Sequence, residues 1–246
     1  MYVTIGGLRP MGKGAAWVLF GGCNWKCPYC YEKGILDKED CKKKKKCSVV
    51  SIRELVGALA QAKPKLVKIG GGEPTEQPRE LERVCMYLKS QKIAVQLHTN
   101  GSHPEVLGDL LLKNLLDMVS IDVKAPLDNE ALYKKMTGGL GNPQAVRESI
   151  DIARDKAGFF EVVYPVVPGE NDKKEDIVSV AKSVYYCTAF TLHGFEKRRE
   201  IVSEDWYRNK EVPDPEKLKE LAKAARDAFS NVDSVRIISH KGEEEI

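Results

Sequence analysis

Cys23, Cys27 and Cys30 lie in the run Gly22-Cys23-Asn24-Trp25-Lys26-Cys27-Pro28-Tyr29-Cys30, a C-x3-C-x2-C spacing on one short segment. They follow an apolar, strand-like run, Ala16-Trp17-Val18-Leu19-Phe20. Three thiolates on one loop can each hold one iron of a cubane cluster, which leaves a fourth iron without a protein ligand and open to chemistry. A structural zinc ion could instead take three thiolates and a histidine in a closed tetrahedron. Zinc cysteines more often come as two separated C-x2-C pairs, and no second pair is present. The spacing therefore favours an iron–sulfur cluster and leaves zinc open.

Other groups able to do chemistry occur later in the chain. Gly70-Gly71-Gly72-Glu73-Pro74 is a glycine run ending in a carboxylate. Such backbone can approach a ligand closely, and carbonyls beside a carboxylate suit an ammonium group. Taken alone, the segment is an ordinary strand-to-helix turn. His98-Thr99-Asn100-Gly101, the Asp122-Val123-Lys124 pair, then Pro165, Pro168 and Gly169, and finally His193 complete the set. Asp122 and Lys124 alternate, so on a strand both point to one face. His98 and His193 read equally as packed core histidines.

These residues need a frame. Short β-rich runs fall at about 16–21, 66–70, 93–98, 118–123, 159–166 and 188–194, with a seventh near 234–239. Amphipathic helices lie between them. Leu81, Val84, Cys85 and Leu88 line one face near 77–91, and Leu218, Leu221, Ala222, Ala225 and Phe229 do so near 216–229. Strand–helix alternation with right-handed crossovers gives a parallel sheet. Too few units exist to close eight strands, so the expectation is one α/β domain over 1–246, an open, partial (β/α)6 TIM-like barrel. It carries a loop at 21–32, an insert at 33–50 and a C-terminal helix and strand over 214–240. A doubly wound open sheet is the alternative. Every motif above falls at the C-terminal end of a strand, the face where parallel barrels place their active sites.

The cysteine spacing with Tyr29 before the third cysteine, followed by Gly71-Gly72-Glu73-Pro74, resembles the radical S-adenosylmethionine (SAM) superfamily. The resemblance narrows through Gly12-Lys13-Gly14-Ala15-Ala16-Trp17-Val18-Leu19-Phe20-Gly21-Gly22-Cys23, Leu97-His98-Thr99-Asn100-Gly101 and Asp117-Met118-Val119-Ser120-Ile121-Asp122-Val123-Lys124-Ala125-Pro126. These look like the activases of glycyl-radical enzymes, the anaerobic ribonucleotide reductase branch nearest. The resemblance implies a [4Fe-4S] cluster on Cys23, Cys27 and Cys30, with SAM chelated at the open iron. It places Tyr29, Gly71, Gly72, Glu73, Thr99 and Asn100 around that cofactor, Asp122 and Lys124 by the SAM carboxylate, and His193 near the nucleoside. One electron from the cluster cleaves SAM, and the resulting 5′-deoxyadenosyl radical takes a hydrogen atom, in the activases from a glycine of a partner enzyme. The 7-carboxy-7-deazaguanine synthases are compact relatives with similar motifs and a small substrate. A zinc or iron–sulfur module without enzymatic activity is a third reading.

The chain also departs from the family pattern. Tyr31-Glu32 stand where His-Asn is usual, and His98 stands where an aspartate often helps bind a monovalent cation. The insert at 38–47 has no family counterpart. It holds Cys41, five consecutive lysines and Cys47. The expectation there is a solvated loop flanked by two cysteines, whose lysines could steer an acidic partner such as a reduced ferredoxin or flavodoxin. Cys85 and Cys187 read as packing residues. Trp206-Tyr207-Arg208 reads either as a lid or as a loop pinned to the barrel side.

The whole chain has 246 residues and a net charge of +3, near balance, which argues neither for nor against nucleic acid; no nucleic-acid partner is expected. Seven cysteines, three of them clustered, suit metal binding in a reducing compartment better than a disulfide framework. No signal-peptide pattern opens the sequence and no apolar run spans a bilayer, so a cytoplasmic location is expected.

Overall fold

A computed structural model describes residues 1–12, 14–197 and 201–246, with the side chain of Tyr207 excepted. Lys13 of the activase-like stretch thus lies outside the described residues. The strands are β1 (Tyr2–Met11), β2 (Ala15–Phe20), β3 (Ser48–Ser51), β4 (Leu66–Gly71), β5 (Ala94–Thr99), β6 (Met118–Asp122), β7 (Phe159–Val166), β8 (Tyr186–Gly194), β9 (Asn231–Ser239) and β10 (Gly242–Glu245). The helices are α1 (Lys38–Lys43), α2 (Ile52–Ala62), α3 (Pro78–Ser90), α4 (Pro104–Leu112), α5 (Glu130–Met136), α6 (Pro143–Lys156), α7 (Lys174–Val184), α8 (Glu204–Arg208) and α9 (Pro215–Ala228).

All ten strands form one sheet, ordered β10-β9-β8-β7-β6-β5-β4-β2-β1-β3, whose two ends do not meet. From β2 to β9 the neighbours run parallel. This is the expected open partial barrel, with the run near 234–239 supplying a seventh parallel strand. The unexpected strands are the antiparallel ones, β1 and β3 at one edge and β10 at the other. β1 was hidden because Gly6, Gly7 and Pro10 interrupt its β pattern, and its register shifts between Ile5 and Gly7.

Alternation along each strand sorts the two faces. Val18, Val67, Ile69, Val95, Leu97, Val119, Ile121, Val162 and Val235 are fully buried against the helices. On α3, Leu81, Val84, Cys85 and Leu88 form the buried stripe that the helical period requires. Fully burying each large apolar side chain stabilises the fold by roughly 1.5–3 kcal/mol, so this layer holds the sheet in shape. The opposite face carries Gln96 and His98 on β5, Ser120 and Asp122 on β6, Glu161 on β7, and Thr191 and His193 on β8. There Gln96 donates to the Ser120 hydroxyl at 2.8 Å, and the Ser120 and Thr191 hydroxyls donate to Glu161 at 2.6 and 2.7 Å. The chain of bonds ties four neighbouring strands below the mouth.

The insert is not the open loop expected from its lysines. Cys41 and Cys47 form a disulfide with Cα atoms 5.2 Å apart. Helix α1, capped by the Asp37 carboxylate, turns Cys41 inward, and Lys45 at φ 54° reverses the chain. Cys47 thereby returns to Cys41, and both sulfurs pack with Leu19 and Ile35. The other five cysteines are free, with Cys85 and Cys187 buried as expected of packing residues. Among the described residues no helix is long and apolar enough to cross a membrane.

Candidate active site

The thiol loop leaves β2 through Gly21 and Gly22 and is anchored along its length. Gly22 N donates to Ile35 O at 2.6 Å and Cys23 N to Leu36 O at 2.8 Å, which fixes the loop to the insert. Lys26 N donates to Thr137 O, while Val202 N and Ser203 N donate to Cys30 O and Pro28 O. Aromatic rings close over this last contact. Tyr29 packs on Trp206, Trp206 meets Phe195 edge-on, and Tyr31 stacks on Phe195. The Tyr31 hydroxyl also accepts from Glu196 N at 2.5 Å. Tyr31 is therefore part of a clamp on the loop, and the Trp206 segment is pinned rather than free. Residues 198–200, between the two halves of this clamp, lie outside the described residues.

The glycine segment is locked to the same loop. Gly72 N donates to Phe20 O at 2.8 Å and Glu73 N to Gly22 O at 2.7 Å. A Cβ on Gly72 would stand 2.0 Å from Gly22 O, so no other residue fits. Gly71 has φ +107°, which a side chain rarely tolerates. Two demands thus explain the glycines: positive φ and contact between two backbones. Both residues remain half-exposed at the mouth.

Glu73 departs from the sequence expectation. Its carboxylate is fully buried and committed to protein donors. Oε1 accepts from Thr75 N, the Thr75 hydroxyl and the Thr99 hydroxyl at 3.0, 2.6 and 2.7 Å, and Oε2 accepts from Asn100 N at 2.7 Å. Burial pushes its pKa up, and these four bonds offset part of that. Glu73 therefore joins the glycine segment to Thr99-Asn100. That leaves the Gly71-Gly72 backbone as the part of this segment available to a ligand ammonium. Asn100 extends the link, donating to Asn24 Oδ1 at 2.9 Å, and Asn24 in turn donates to the Ser102 hydroxyl at 2.8 Å.

Asp122 is held in the opposite way. Lys124 Nζ lies 2.6 Å from its Oδ2 and His98 Nε2 lies 3.0 Å from its Oδ1. Burial alone would raise the Asp122 pKa, but the Lys124 and His98 charges outweigh it and hold the carboxyl well below its usual range. Burial likewise disfavours the His98 imidazolium, yet Asp122 raises its pKa above the ordinary value. His98 thus occupies, with a ring nitrogen 3.0 Å from Oδ1, the place beside Asp122 where the resemblance leads one to expect an aspartate and a cation. Lys124 is further fixed through its carbonyl, which accepts from the buried Asn171 side chain at 2.9 Å.

The three thiols sit in the midst of these groups. Burial pushes all three pKa values up, that of Cys30 to about 12. Glu73 raises Cys23 further, whereas Lys124 pulls Cys27 and Cys30 down. The Tyr29 hydroxyl is buried beside the Cys27 thiol without a well-formed hydrogen bond. Thiolates in such a setting need positive charge beside them, which iron supplies. Among the described residues no three His, Cys, Asp or Glu groups converge on a single metal ion.

The sequence-expected residues Cys23, Cys27, Cys30, Tyr29, Gly71, Gly72, Glu73, Thr99, Asn100, Asp122 and Lys124 are therefore brought together. His193 stands on the same rim, at the end of β8 opposite Pro165. Sequence reasoning missed Asn24, Gln77 and Asn171: Gln77 and Asn171 bond to backbone groups and Asn24 to the side chains of Asn100 and Ser102, far along the chain, so none carries a spacing signal. Gln77, buried under the loop, accepts from Thr4 N and donates to Thr4 O and Gly21 O.

The family model described as "Radical SAM superfamily" matches residues 17–181. The chain belongs to the radical SAM superfamily. A Methanocaldococcus jannaschii protein provisionally named as a glycyl-radical enzyme activating enzyme is 30% identical over 222 residues, 89% of this chain and 88% of its own. The 7-carboxy-7-deazaguanine synthase of Hyperthermus butylicus is 30% identical over 191 residues, 71% of this chain and 79% of its own. A solved domain of the pyruvate-formate lyase-activating enzyme of Bacteroides vulgatus shares the fold, with TM-score 0.55 and 14% identity, covering 68% of this chain and 97% of that domain. Radical SAM enzymes use a [4Fe-4S] cluster and SAM. The three free thiols and the half-exposed glycine backbone fit that pair.

Proposed function

We propose that this radical SAM enzyme activates a glycyl-radical enzyme. In this reading Cys23, Cys27 and Cys30 hold the cluster, and the Gly71-Gly72 backbone takes the SAM ammonium. Lys124, oriented by Asp122, takes the carboxylate, and His193 approaches the nucleoside from the far rim. When bound, the cluster would pass one electron from an external reductant to SAM, the source of the 5′-deoxyadenosyl radical; the protein supplies position and exclusion of water. Glu73, Thr99 and Asn100 hold the backbone that faces SAM, and Tyr29 packs behind the thiols.

The observation that carries the activase reading is similarity over most of the chain. The relative named for that activity aligns over 89% of this protein and 88% of its own length. The open sheet supports it, because a glycine in a partner's loop must enter from the side. The test is deuterium transfer from a partner enzyme labelled at its glycine α-carbon into 5′-deoxyadenosine. Label in the nucleoside supports the reading, and unlabelled nucleoside formed at full rate opposes it.

A second reading rests on the deazaguanine synthase similarity over 71% of the chain. Incubation of reduced protein with SAM and candidate pterins, scored for ring-contracted product, distinguishes it.

A further inference from the structure

The chain's charge is concentrated in one place. Residues 37–47 hold six lysines and three carboxylates, a surplus of three, and the whole chain carries +3. All remaining residues therefore sum to zero. Lys43, Lys44, Lys45 and Lys46 are exposed. Lys42 pairs with Glu39 at 2.9 Å and Lys44 with Asp40 at 2.8 Å, surface pairs that a partner's carboxylates can replace at little cost.

Five adjacent lysines repel one another and favour an extended, hydrated loop. Here they are gathered instead into a knuckle closed by the Cys41–Cys47 disulfide. Lys45 N donates to Lys42 O, and Lys46 N donates to Cys41 O at 2.8 Å. The knuckle is joined to the thiol loop. The carbonyls of Ile35 and Leu36, just ahead of it, accept from Gly22 N and Cys23 N. Lys38 runs along Gly22, and Cys47 Sγ would stand 2.9 Å from a Cβ on Gly21.

We propose that this knuckle is the docking surface for a small acidic electron-carrier protein of the ferredoxin or flavodoxin kind. The proposal rests on the radical SAM chemistry, which consumes one electron at the cluster for each SAM cleaved. The carrier's reduced cofactor loses one electron and the cluster gains it; no bond or proton moves in that step. Charge complementarity steers such encounters and orients the carrier where the thiol loop is nearest. A nucleic-acid partner fits less well. A phosphate backbone needs a track of many basic contacts, and outside the knuckle the chain is neutral.

The test uses the full-length protein, oxidised flavodoxin as probe, and the double variant Lys43→Glu with Lys45→Glu, both outside the thiol loop. The unaltered protein binds flavodoxin at low salt, and binding fades as salt rises. In the double variant affinity falls roughly ten-fold or more at low salt, and the two proteins converge at high salt. SAM cleavage driven by reduced flavodoxin falls in parallel, while cleavage driven by dithionite is unchanged. Equal flavodoxin affinity in the two proteins overturns the proposal. So does single-stranded RNA that binds the unaltered protein more tightly than flavodoxin and is lost in the variant. If dithionite drives no SAM cleavage in the unaltered protein, the enzymatic reading beneath the proposal falls instead.

Discussion

Glu73 and Asp122 are carboxylates of one mouth with opposite surroundings. Glu73 is fully buried and accepts hydrogen bonds from neutral groups alone. Asp122 is partly open, with 22% of its side chain exposed, and is flanked by Lys124 and His98. The first accepts four hydrogen bonds from protein groups and holds the glycine segment to Thr99 and Asn100. The second orients a cation at the rim, where a charged ligand can compete for it. A carboxylate in a motif is therefore not by itself a ligand contact; its partners decide.

Breaking the Glu73 side of this contrast has the largest expected effect. Glu73→Ala leaves two backbone N–H groups and two hydroxyls without their acceptor in a closed site. The expected loss is about 3–5 kcal/mol of folding stability, read by chemical denaturation of the anaerobic protein. A loss below about 1 kcal/mol would remove Glu73 from its structural role.

On the Asp122 side, Lys124→Met removes the cation and leaves Asp122 its His98 partner. Folding stability should change by only about 1 kcal/mol, because the group lies at a partly open rim. SAM affinity, measured calorimetrically on the reconstituted protein, should fall roughly ten-fold or more through loss of a charge-assisted bond. The reverse pattern, intact binding with a large stability loss, would make Lys124 structural.

The contrast also predicts opposite pH slopes. The pKa of Asp122 is depressed in the folded state, so the unfolded chain binds the proton more tightly. Its contribution is fully present above the ordinary carboxylate range near about 4 and is lost as pH falls through the lower folded value. The pKa of Glu73 is raised, so its contribution is present below that range and declines as pH rises toward the raised value. Stability curves of Glu73→Gln and Asp122→Asn, each subtracted from the unaltered protein between about pH 3 and 6, should slope in opposite directions. Slopes of the same sign would erase the distinction.

Much of this site was legible from residue type and spacing. Three thiols, a glycine run and an Asp-x-Lys pair announce themselves, and strand periodicity placed them on one rim. The parallel strands were readable for the same reason, since each is a run of alternating or continuous apolar residues. What stayed hidden depends on partners distant in the chain. Nothing near Glu73 in sequence says that Thr99 and Asn100 will cap it. Gln77 binds the backbone of Thr4 and Gly21, which any amide could do, and Asn24 binds the side chains of Asn100 and Ser102, more than seventy residues away. The Cys41–Cys47 pair was misjudged because five lysines between two cysteines read as solvated charge; the turn of α1 and the reversal at Lys45 bring the sulfurs together. The antiparallel β3 has only four residues, too short for a period to register. Tyr31, a departure from the family pattern, found its explanation only in Phe195, far along the chain.

The central claim is that Cys23, Cys27 and Cys30 hold a cluster whose open iron takes SAM. Electron paramagnetic resonance of the anaerobically reduced protein, recorded with and without SAM, tests it most directly. The account predicts a reduced [4Fe-4S] signal whose shape changes when SAM is added, and no such signal in Cys27→Ala. A signal indifferent to SAM, or a protein that binds zinc and gives no signal, would contradict it.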